Sequence, residues 1–175
     1  MKYIALLKGV NVGGHKKMRM AELRAVLVKA GCSNVSTYIQ SGNVCFQTSL
    51  HNAEEIEMTI KKAIRTHFGF EVSVILKTLE ALQQIFDNCP FSQDEKMGSY
   101  FMLLHQKPTA EDVAVALEKV YENESYQIIE DCIYYYSSKG LGKSKFNAVF
   151  FENKLQTFIT SRNYKTILKL LSLYA

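Results

Sequence analysis

The sequence of 175 residues contains no apolar run long enough for a membrane-spanning helix. Its longest apolar runs, such as Ile4-Ala5-Leu6-Leu7, have the length of a β-strand, whereas a membrane-spanning helix needs about 20 apolar residues. The start, Met1-Lys2-Tyr3, leads directly into a predicted strand and lacks the pattern of a signal peptide. These absences predict a cytoplasmic protein without a membrane partner.

The sequence also lacks the common metal, redox and hydrolase motifs. Its four cysteines form no C-x-x-C pair, and its four histidines form no H-E-x-x-H motif. A G-x-S-x-G nucleophile motif is missing as well. We therefore expect reduced thiols, no metal site and no bound cofactor, and no catalytic residue can be named.

What is present is an ordinary globular composition, with 47% hydrophobic and 22% charged residues. The formal net charge is only +4, whereas a dedicated nucleic-acid-binding domain usually carries a larger or more clustered excess of positive charge. The charge is therefore compatible with an anionic small molecule or a nucleic acid as partner without requiring either.

Hydrophobic periodicity predicts the order β-α-β-β-α-β for the first half of the chain, residues 1–77. The predicted elements are a strand (2–8), a helix (18–31), two strands (35–40 and 44–48), a helix capped by Asn52 (52–68) and a strand (71–76). This order is that of the ferredoxin-like fold.

The second half, residues 78–175, repeats much of that order as β-α-β-β-α-α. After a helix capped by Thr78 and a polar loop (92–98), we predict a strand (100–105), a helix opened by Thr109, two strands (126–130 and 132–137) and helices near 146–154 and 163–173, with Thr160 or Ser161 as a cap. The prediction is an α+β fold of two ferredoxin-like halves packed as one compact unit, with antiparallel or mixed sheets and helices on one face.

The loop from Gly9 to Lys17 is the first candidate site, because it follows a strand and precedes a helix. Backbone N–H groups and the helix dipole favour anions at such a position, and glycines let a ligand approach the backbone closely. The loop matches neither the Walker A pattern nor G-x-G-x-x-G. The candidate ligand-binding residues are Asn11, Gly13, Gly14 and Lys16. The alternative is a turn that needs positive φ, flanked by solvated lysines.

The predicted turn between the second and third strands is another candidate. Ile39 is predicted to lie on the face of the sheet that the helices cover, so Tyr38 and Gln40 should point to the opposite face. In single-strand RNA binders, that face carries stacking aromatic residues. The RNP1 pattern of those proteins is missing. Ser41 and Asn43 complete this candidate set. The alternative is that the second half covers this face and Tyr38 belongs to the core.

The segment Gly140-Leu-Gly-Lys-Ser-Lys145 is a basic glycine loop in front of a predicted helix. It lacks the upstream glycine of a P-loop, because Ser137 occupies that position. Lys143 and Lys145 are nevertheless candidates for binding a phosphate or a carboxylate.

Arg162 and Asn163 are predicted at the start of the last helix, where basic residues are unusual and can help to bind an anion. Alternatively, Arg162 fastens that helix to carboxylates or carbonyls.

Several segments resemble one family. Leu6-Leu-Lys-Gly-Val-Asn-Val-Gly-Gly14, Met20-Ala-Glu-Leu-Arg24, Thr37-Tyr-Ile-Gln-Ser-Gly-Asn-Val44 and Thr160-Ser-Arg-Asn-Tyr-Lys-Thr166 are similar to the bacterial family catalogued as domain of unknown function 1697. That family often has tryptophan at the position of Tyr164, and this sequence contains no tryptophan. The resemblance implies a compact α+β protein with ferredoxin-like units, and it implies no activity, cofactor or catalytic residue.

Two classes of function follow. The first is a binding protein for a phosphorylated or otherwise anionic ligand, such as a nucleotide or nucleic acid, held by the basic glycine-rich loops. The alternative is a small-molecule enzyme of unknown class with a cleft between the halves, for which His15, Tyr38 and Lys143 are the titratable candidates. A protein-interaction module is a further option, and the oligomeric state stays open.

Overall fold

The computed structural model describes residues 1–173. The strands in this range are β1 (Lys2–Leu7), β2 (Ser33–Tyr38), β3 (Asn43–Gln47), β4 (Val74–Thr78), β5 (Tyr100–Leu104), β6 (Glu124–Ile129), β7 (Cys132–Ser137) and β8 (Ile159–Asn163). The helices are α1 (Met20–Lys29), α2 (Ala53–Phe68), α3 (Leu79–Asp87), α4 (Gln93–Met97), α5 (Ala110–Leu117), α6 (Ala148–Lys154) and α7 (Tyr164–Ser172), with a 3₁₀ turn at Leu141–Lys143.

The chain divides into two compact units. The N-terminal unit consists of Met1–Leu82 together with the chain from Leu170, and the C-terminal unit consists of Gln83–Lys169. The boundary expected after residue 77, and the packing of both halves as one body, stay predictions.

The N-terminal unit is built on an antiparallel sheet in the order β2-β3-β1-β4. Its core combines one face of this sheet with the apolar faces of α1 and α2, and includes Ala5, Leu23, Phe46 and Ile60. The alternate residues of the central strand, such as Ile4, are fully buried too. Burial on both faces explains why β1 has a continuous apolar sequence instead of an alternating one.

Helix α2 is specified by local sequence at both ends. The side chain of Asn52 accepts a hydrogen bond from the N–H of Glu55 at 3.0 Å, which satisfies one of the free donors of the first turn. Gly69 ends the helix in the left-handed conformation, with φ of 76°. Ile56 and Ile60 lie one turn apart and are buried, so the opposite side of this long helix faces solvent.

The C-terminal unit has the same topology, with an antiparallel sheet in the order β6-β7-β5-β8. Its core is rich in aromatic side chains, among them Tyr135 of β7 and Phe151 of α6. The α+β class with two ferredoxin-like halves is therefore confirmed. Within residues 1–173 no helix is long and apolar enough to span a membrane.

The predicted β-α-β-β-α-α order of the second half was wrong in its last part, because β8 stands between α6 and α7. This strand pairs with β5, and Thr160 and Arg162 within it are buried. Their polar side chains concealed the strand and made Thr160 or Ser161 look like a helix cap. The predicted polar loop 92–98 also contains the short helix α4, opened by a capping box of Ser92 and Glu95.

Candidate functional site

The loop between β1 and α1 is folded around the side chain of Asn11. Its carboxamide oxygen accepts the N–H of Met18 at 2.8 Å, and its amide nitrogen donates to the carbonyl oxygens of Met18 at 2.9 Å and Gln40 at 2.7 Å. The backbone N–H of Asn11 donates to the carbonyl of Lys16 at 3.2 Å. Asn11 has a φ of 56°, a conformation that asparagine tolerates. Its side chain therefore fastens this loop to the start of α1 and to the β2–β3 turn.

The tip of the same loop is a tight turn that faces solvent. The N–H of His15 donates to the carbonyl of Val12 at 3.0 Å, and Gly13 and Gly14 between them have φ of 57° and 80°. Both glycines, His15 and Lys16 are exposed. The glycines thus serve a turn whose tip is open to a ligand.

The β2–β3 turn is held by Asn43, whose amide nitrogen donates to the Tyr38 carbonyl at 3.0 Å and to Ser41 Oγ at 2.9 Å. Asn43 is fully buried, Tyr38 and Ser41 are half-buried, and Gln40 is exposed. Asn43 therefore holds the turn by bonding within the chain.

The prediction that Ile39 faces the helices was wrong. The strand ends at Tyr38, and Ile39 lies in the turn with a φ of 49° and a side chain that is 50% exposed. Positive φ interrupts the alternation of strand residues, so the face of Gln40 does not follow from that of Ile39.

Gly42 places the turn against β1. Its carbonyl accepts the N–H of Leu7 at 2.9 Å. A Cβ atom on Gly42 would lie 2.6 Å from the Cβ of Leu7 and 2.7 Å from Cγ2 of Val10, and the φ of Gly42 is +74°. Only glycine fits this contact, which keeps the two candidate loops together.

Lys16 belongs to a larger basic surface of the N-terminal unit, which we call the basic depression. It is a concavity of about 660 Å³, within the size range of small-molecule sites. Its lining residues are Lys16, Met58, Lys61, Lys62, Arg65, Glu71, Val72 and Ser73. The glycine loop thus contributes one cation to a concavity whose other cations come from α2.

Two carboxylates partly neutralise the basic depression. Lys61 pairs with Glu57, and Arg65 pairs with Glu71 at 3.0 Å. The side chains of Arg65 and Glu71 are 70% and 76% exposed, so this pair is weak and easily exchanged. Within residues 1–173, Lys16 and Lys62 have no carboxylate partner. The depression therefore retains a positive potential suited to an anion.

Sequence reasoning had missed the contribution of α2. The buried positions of that helix predict its place in the fold, whereas Lys61, Lys62 and Arg65 lie on its solvent face at i, i+1 and i+4. The short spacing of these cations can be read from the sequence. Their proximity to Lys16 cannot, because it depends on how the loop folds.

The basic glycine loop of the C-terminal unit is occupied by a carboxylate of the chain itself. Glu124 accepts the N–H of Lys145 at Oε1, 2.8 Å away, and the hydroxyl of Ser144 at Oε2, 3.3 Å away. The hydroxyl of Tyr135 donates to Ser144 Oγ at 2.5 Å, and burial raises the pKa of Tyr135, so its proton is retained. Lys143 and Lys145 are exposed beside a loop whose anion-binding N–H group is already used.

Arg162 was predicted at a helix N-terminus, and that position was wrong because it lies in β8. Its guanidinium donates to Thr160 Oγ1 at 2.9 Å and to the Ser161 carbonyl at 2.8 Å. Burial lowers the pKa of Arg162 to about 10, which still leaves it charged at neutral pH. Asn163 caps α7 by accepting the N–H of Thr166 at 2.9 Å. Both side chains thus have structural contacts.

The structure brings some predicted site residues together within each unit. In the N-terminal unit, Asn11 bonds to Gln40, and Asn43 bonds to Tyr38 and Ser41. Lys143 and Lys145 share one loop of the C-terminal unit. Their assignment as ligand-binding residues stays a prediction. In the part of the chain that the structure describes, no three His, Cys, Asp or Glu side chains are grouped as they would be around a metal ion.

A comparison with protein-family models matches most of the chain. Residues 1–134 match the family model described as "Protein of unknown function (DUF1697)". The chain belongs to this family. The resemblance seen in the sequence of this DUF1697 protein is thereby confirmed.

Among solved structures, this DUF1697 protein is similar to a conserved bacterial protein from Streptococcus pneumoniae. The TM-score is 0.77 at 26% sequence identity, and the match covers 98% of this chain and 97% of that chain. No curated protein matches the chain.

Proposed function

We propose that the N-terminal unit of this DUF1697 protein binds a phosphorylated or otherwise anionic ligand in the basic depression. The observation that supports this function is the grouping of Lys16 with Lys61, Lys62 and Arg65 around one concavity. Cations from a loop and from a helix surround the same space, which is an arrangement that attracts anions.

The folded loop gives Lys16 a defined place in this arrangement. Asn11 bonds to the carbonyl of Lys16 and, two residues further along the chain, to Met18. On the N-terminal side, the N–H of His15 donates to the carbonyl of Val12. Lys16 itself has a φ of 45°, which an L-residue adopts only when its surroundings hold it there. A lysine whose backbone is fixed loses less freedom when it binds a ligand.

Arg65 is the residue best suited to direct contact with a phosphoryl group. Its guanidinium can form two parallel hydrogen bonds to phosphate oxygens, and its present partner is the exposed carboxylate of Glu71. A bound phosphate replaces the carboxylate of Glu71 as the partner of Arg65, while Lys16 and Lys62 supply further positive charge. A ligand with several negative charges, such as a nucleotide or a nucleic acid, overcomes the repulsion of Glu71 best.

The test measures the affinities of inorganic tripolyphosphate, a nucleoside triphosphate and a short single-stranded oligonucleotide by calorimetry at low and high salt. We expect Lys16→Ala and Arg65→Ala each to weaken binding about 10-fold, which corresponds to about 1.4 kcal/mol. Lys154→Ala on α6 is the matched control, because it removes the same charge from an exposed lysine of the other unit. Unchanged affinities in both test variants, or no binding of any probe, would refute the proposal.

Glu71→Gln gives an independent check in the opposite direction. The substitution releases Arg65 and removes the negative charge that a phosphate must displace, so affinity for tripolyphosphate should rise about 3-fold. A decrease would mean that Glu71 orients Arg65 for the ligand instead of competing with it.

A further inference from the structure

The outer edge of β6 differs from the other sheet edges in residues 1–173. Edge strands expose unpaired backbone groups, and proteins protect them with bulges, inward-pointing charges or prolines. In the N-terminal unit, β2 has an irregular register between Ser33 and Ser36, and β4 carries the buried Lys77. In the C-terminal unit, β8 carries the buried Arg162. Three of the four edges thus have a recognised protective device.

Strand β6 has an unprotected stretch. It pairs continuously with β7 from Glu124 to Ile129 without a register shift. The residues from Ser125 to Ile129 contain no charged residue and no proline. The one carboxylate of the strand, on Glu124, is turned to the loop that contains Lys145. This edge is therefore open to pairing with another strand.

The hairpin geometry shows which backbone groups point outward. β6 and β7 are joined by the two residues Glu130 and Asp131, and Glu130 has the positive φ of 53° expected at the first position of a type II′ turn. The pair that closes such a turn exchanges hydrogen bonds, and bonded and non-bonded pairs then alternate. The backbone groups of Ser125, Gln127 and Ile129 therefore face β7, and those of Glu124, Tyr126 and Ile128 face away from it.

A groove of about 320 Å³, lined by both apolar and polar residues, runs beside this edge. On one side of the sheet it is lined by Leu117 and Val120, which are 47% and 83% exposed. These residues lie on the side of Tyr126, whose hydroxyl donates to the carbonyls of Ala116 and Lys119.

Phe91 lines the groove on the other side of the sheet. Its ring packs on Tyr136, whose ring lies on the opposite face of β7 from the core residue Tyr135. Apolar contacts are thus available on both faces of the edge, as the alternating side chains of an added strand require.

We propose that the C-terminal unit binds an extended peptide segment of another protein by adding it as a fifth strand along β6. The segment pairs with the outward backbone groups of Glu124, Tyr126 and Ile128. Its side chains alternate between the two faces: those on one face contact Phe91, and those on the other contact Leu117 and Val120. Backbone pairing supplies affinity, and the lining of the groove favours apolar side chains. This site lies in a different unit from the basic depression and does not depend on the anion-binding proposal.

The test is amide hydrogen exchange of the full chain, followed by NMR, with a short peptide of alternating valine and threonine at about 1 mM. We expect the amides of Glu124, Tyr126 and Ile128 to exchange about 10-fold more slowly with peptide, because each becomes hydrogen-bonded. The amides of Ser125, Gln127 and Ile129 already bond to β7 and should not change. A polyproline peptide of the same length has no N–H group to donate and should give no protection.

Val120→Asp provides the matching side-chain test, since this exposed valine is replaceable without unfolding the unit. The variant should bind the valine–threonine peptide about 5-fold more weakly, whereas Val149→Asp, at a similarly exposed valine of α6, should bind it unchanged. Equal melting temperatures of both variants verify that the fold is intact.

Three results would overturn the proposal. One is no protection of the three outward amides at this peptide concentration. Another is protection confined to other residues. The last is protection of these amides in the free protein that becomes stronger as the protein concentration rises. This result would mean that the edge pairs with a second copy of the chain.

Discussion

The two units share one topology and each contains a basic glycine-rich loop, yet the loops differ in what surrounds them. In the N-terminal unit, the side chain that organises the loop is the neutral Asn11, and Lys16 is left without a carboxylate partner among the described residues. In the C-terminal unit, Glu124 bonds directly to the loop at Ser144 and Lys145. A basic glycine loop is thus available to an anion only where the fold supplies no anion of its own.

The helix that follows the β-hairpin is longer in the N-terminal unit, where it is α2, than in the C-terminal unit, where it is α6. α2 has 16 residues and α6 has 7. The cations Lys61, Lys62 and Arg65 all lie beyond the first seven residues of α2, so α6 ends before any corresponding position. The extra turns of α2 therefore carry the cations of the proposed site, which the N-terminal unit has and the C-terminal unit lacks at the corresponding positions.

The largest expected effect comes from Gly42→Ala, which attacks the contact between the loops of the N-terminal unit. The new methyl group collides with Leu7 and Val10 at a positive φ, so the free energy of unfolding should fall by about 3 kcal/mol or more. Denaturant unfolding measures this change. Gly69→Ala, at the end of α2, is the control: Gly69 has a similar φ of 76° in the left-handed helical region but open space around the new methyl, and the change should cost only about 1 kcal/mol. Equal losses would mean that backbone conformation, not crowding, fixes Gly42.

Asn11→Ala should have the next largest effect, because it removes three hydrogen bonds of the side chain and places alanine at positive φ. We expect a loss of about 2 kcal/mol of stability and at least a 5-fold weaker affinity for tripolyphosphate, since Lys16 loses its fixed position. Asn147→Ala, which removes the cap of α6, should lower stability by about 1 kcal/mol without changing that affinity. Unchanged affinity of the Asn11 variant for tripolyphosphate would mean that the conformation of the loop does not contribute to anion binding.

Glu124→Gln should have the smallest effect and tests the contrast directly. The amide keeps an acceptor for the N–H of Lys145 but removes the negative charge, so stability should change by less than about 1 kcal/mol. In a chain that also carries Lys16→Ala and Arg65→Ala, we expect weak tripolyphosphate binding that disappears at high salt. The comparison is with the chain that carries Lys16→Ala and Arg65→Ala but keeps Glu124. If the two chains bind tripolyphosphate equally weakly, the carboxylate of Glu124 is not what distinguishes the two loops.

Features determined by neighbouring residues were predictable from the sequence. Asn52 and Thr109 were identified as helix caps, and each accepts the expected backbone N–H. β8 was missed because its evidence is tertiary: the strand is defined by pairing with β5, and the buried Arg162 gives it a polar sequence. Local rules therefore recover elements with clear ends and fail where a distant strand determines the structure.

The same division applies to the candidate site. Lys16 could be selected from its glycine loop, but its proximity to Lys62 and Arg65 depends on the folded chain. Asn11 was expected to offer hydrogen bonds to a ligand, whereas the structure uses them to join Met18 and Gln40. A polar residue in a loop gives the same sequence signal whether its partner is a ligand or the backbone of another loop.

The discontinuity of the N-terminal unit has a consequence for biosynthesis. This unit includes the chain from Leu170 as well as Met1–Leu82, so the whole of Gln83–Lys169 leaves the ribosome before its final segment does. Domains usually fold in the order of their translation. Here the unit that is translated first is completed only by residues that are translated after the whole of the other unit.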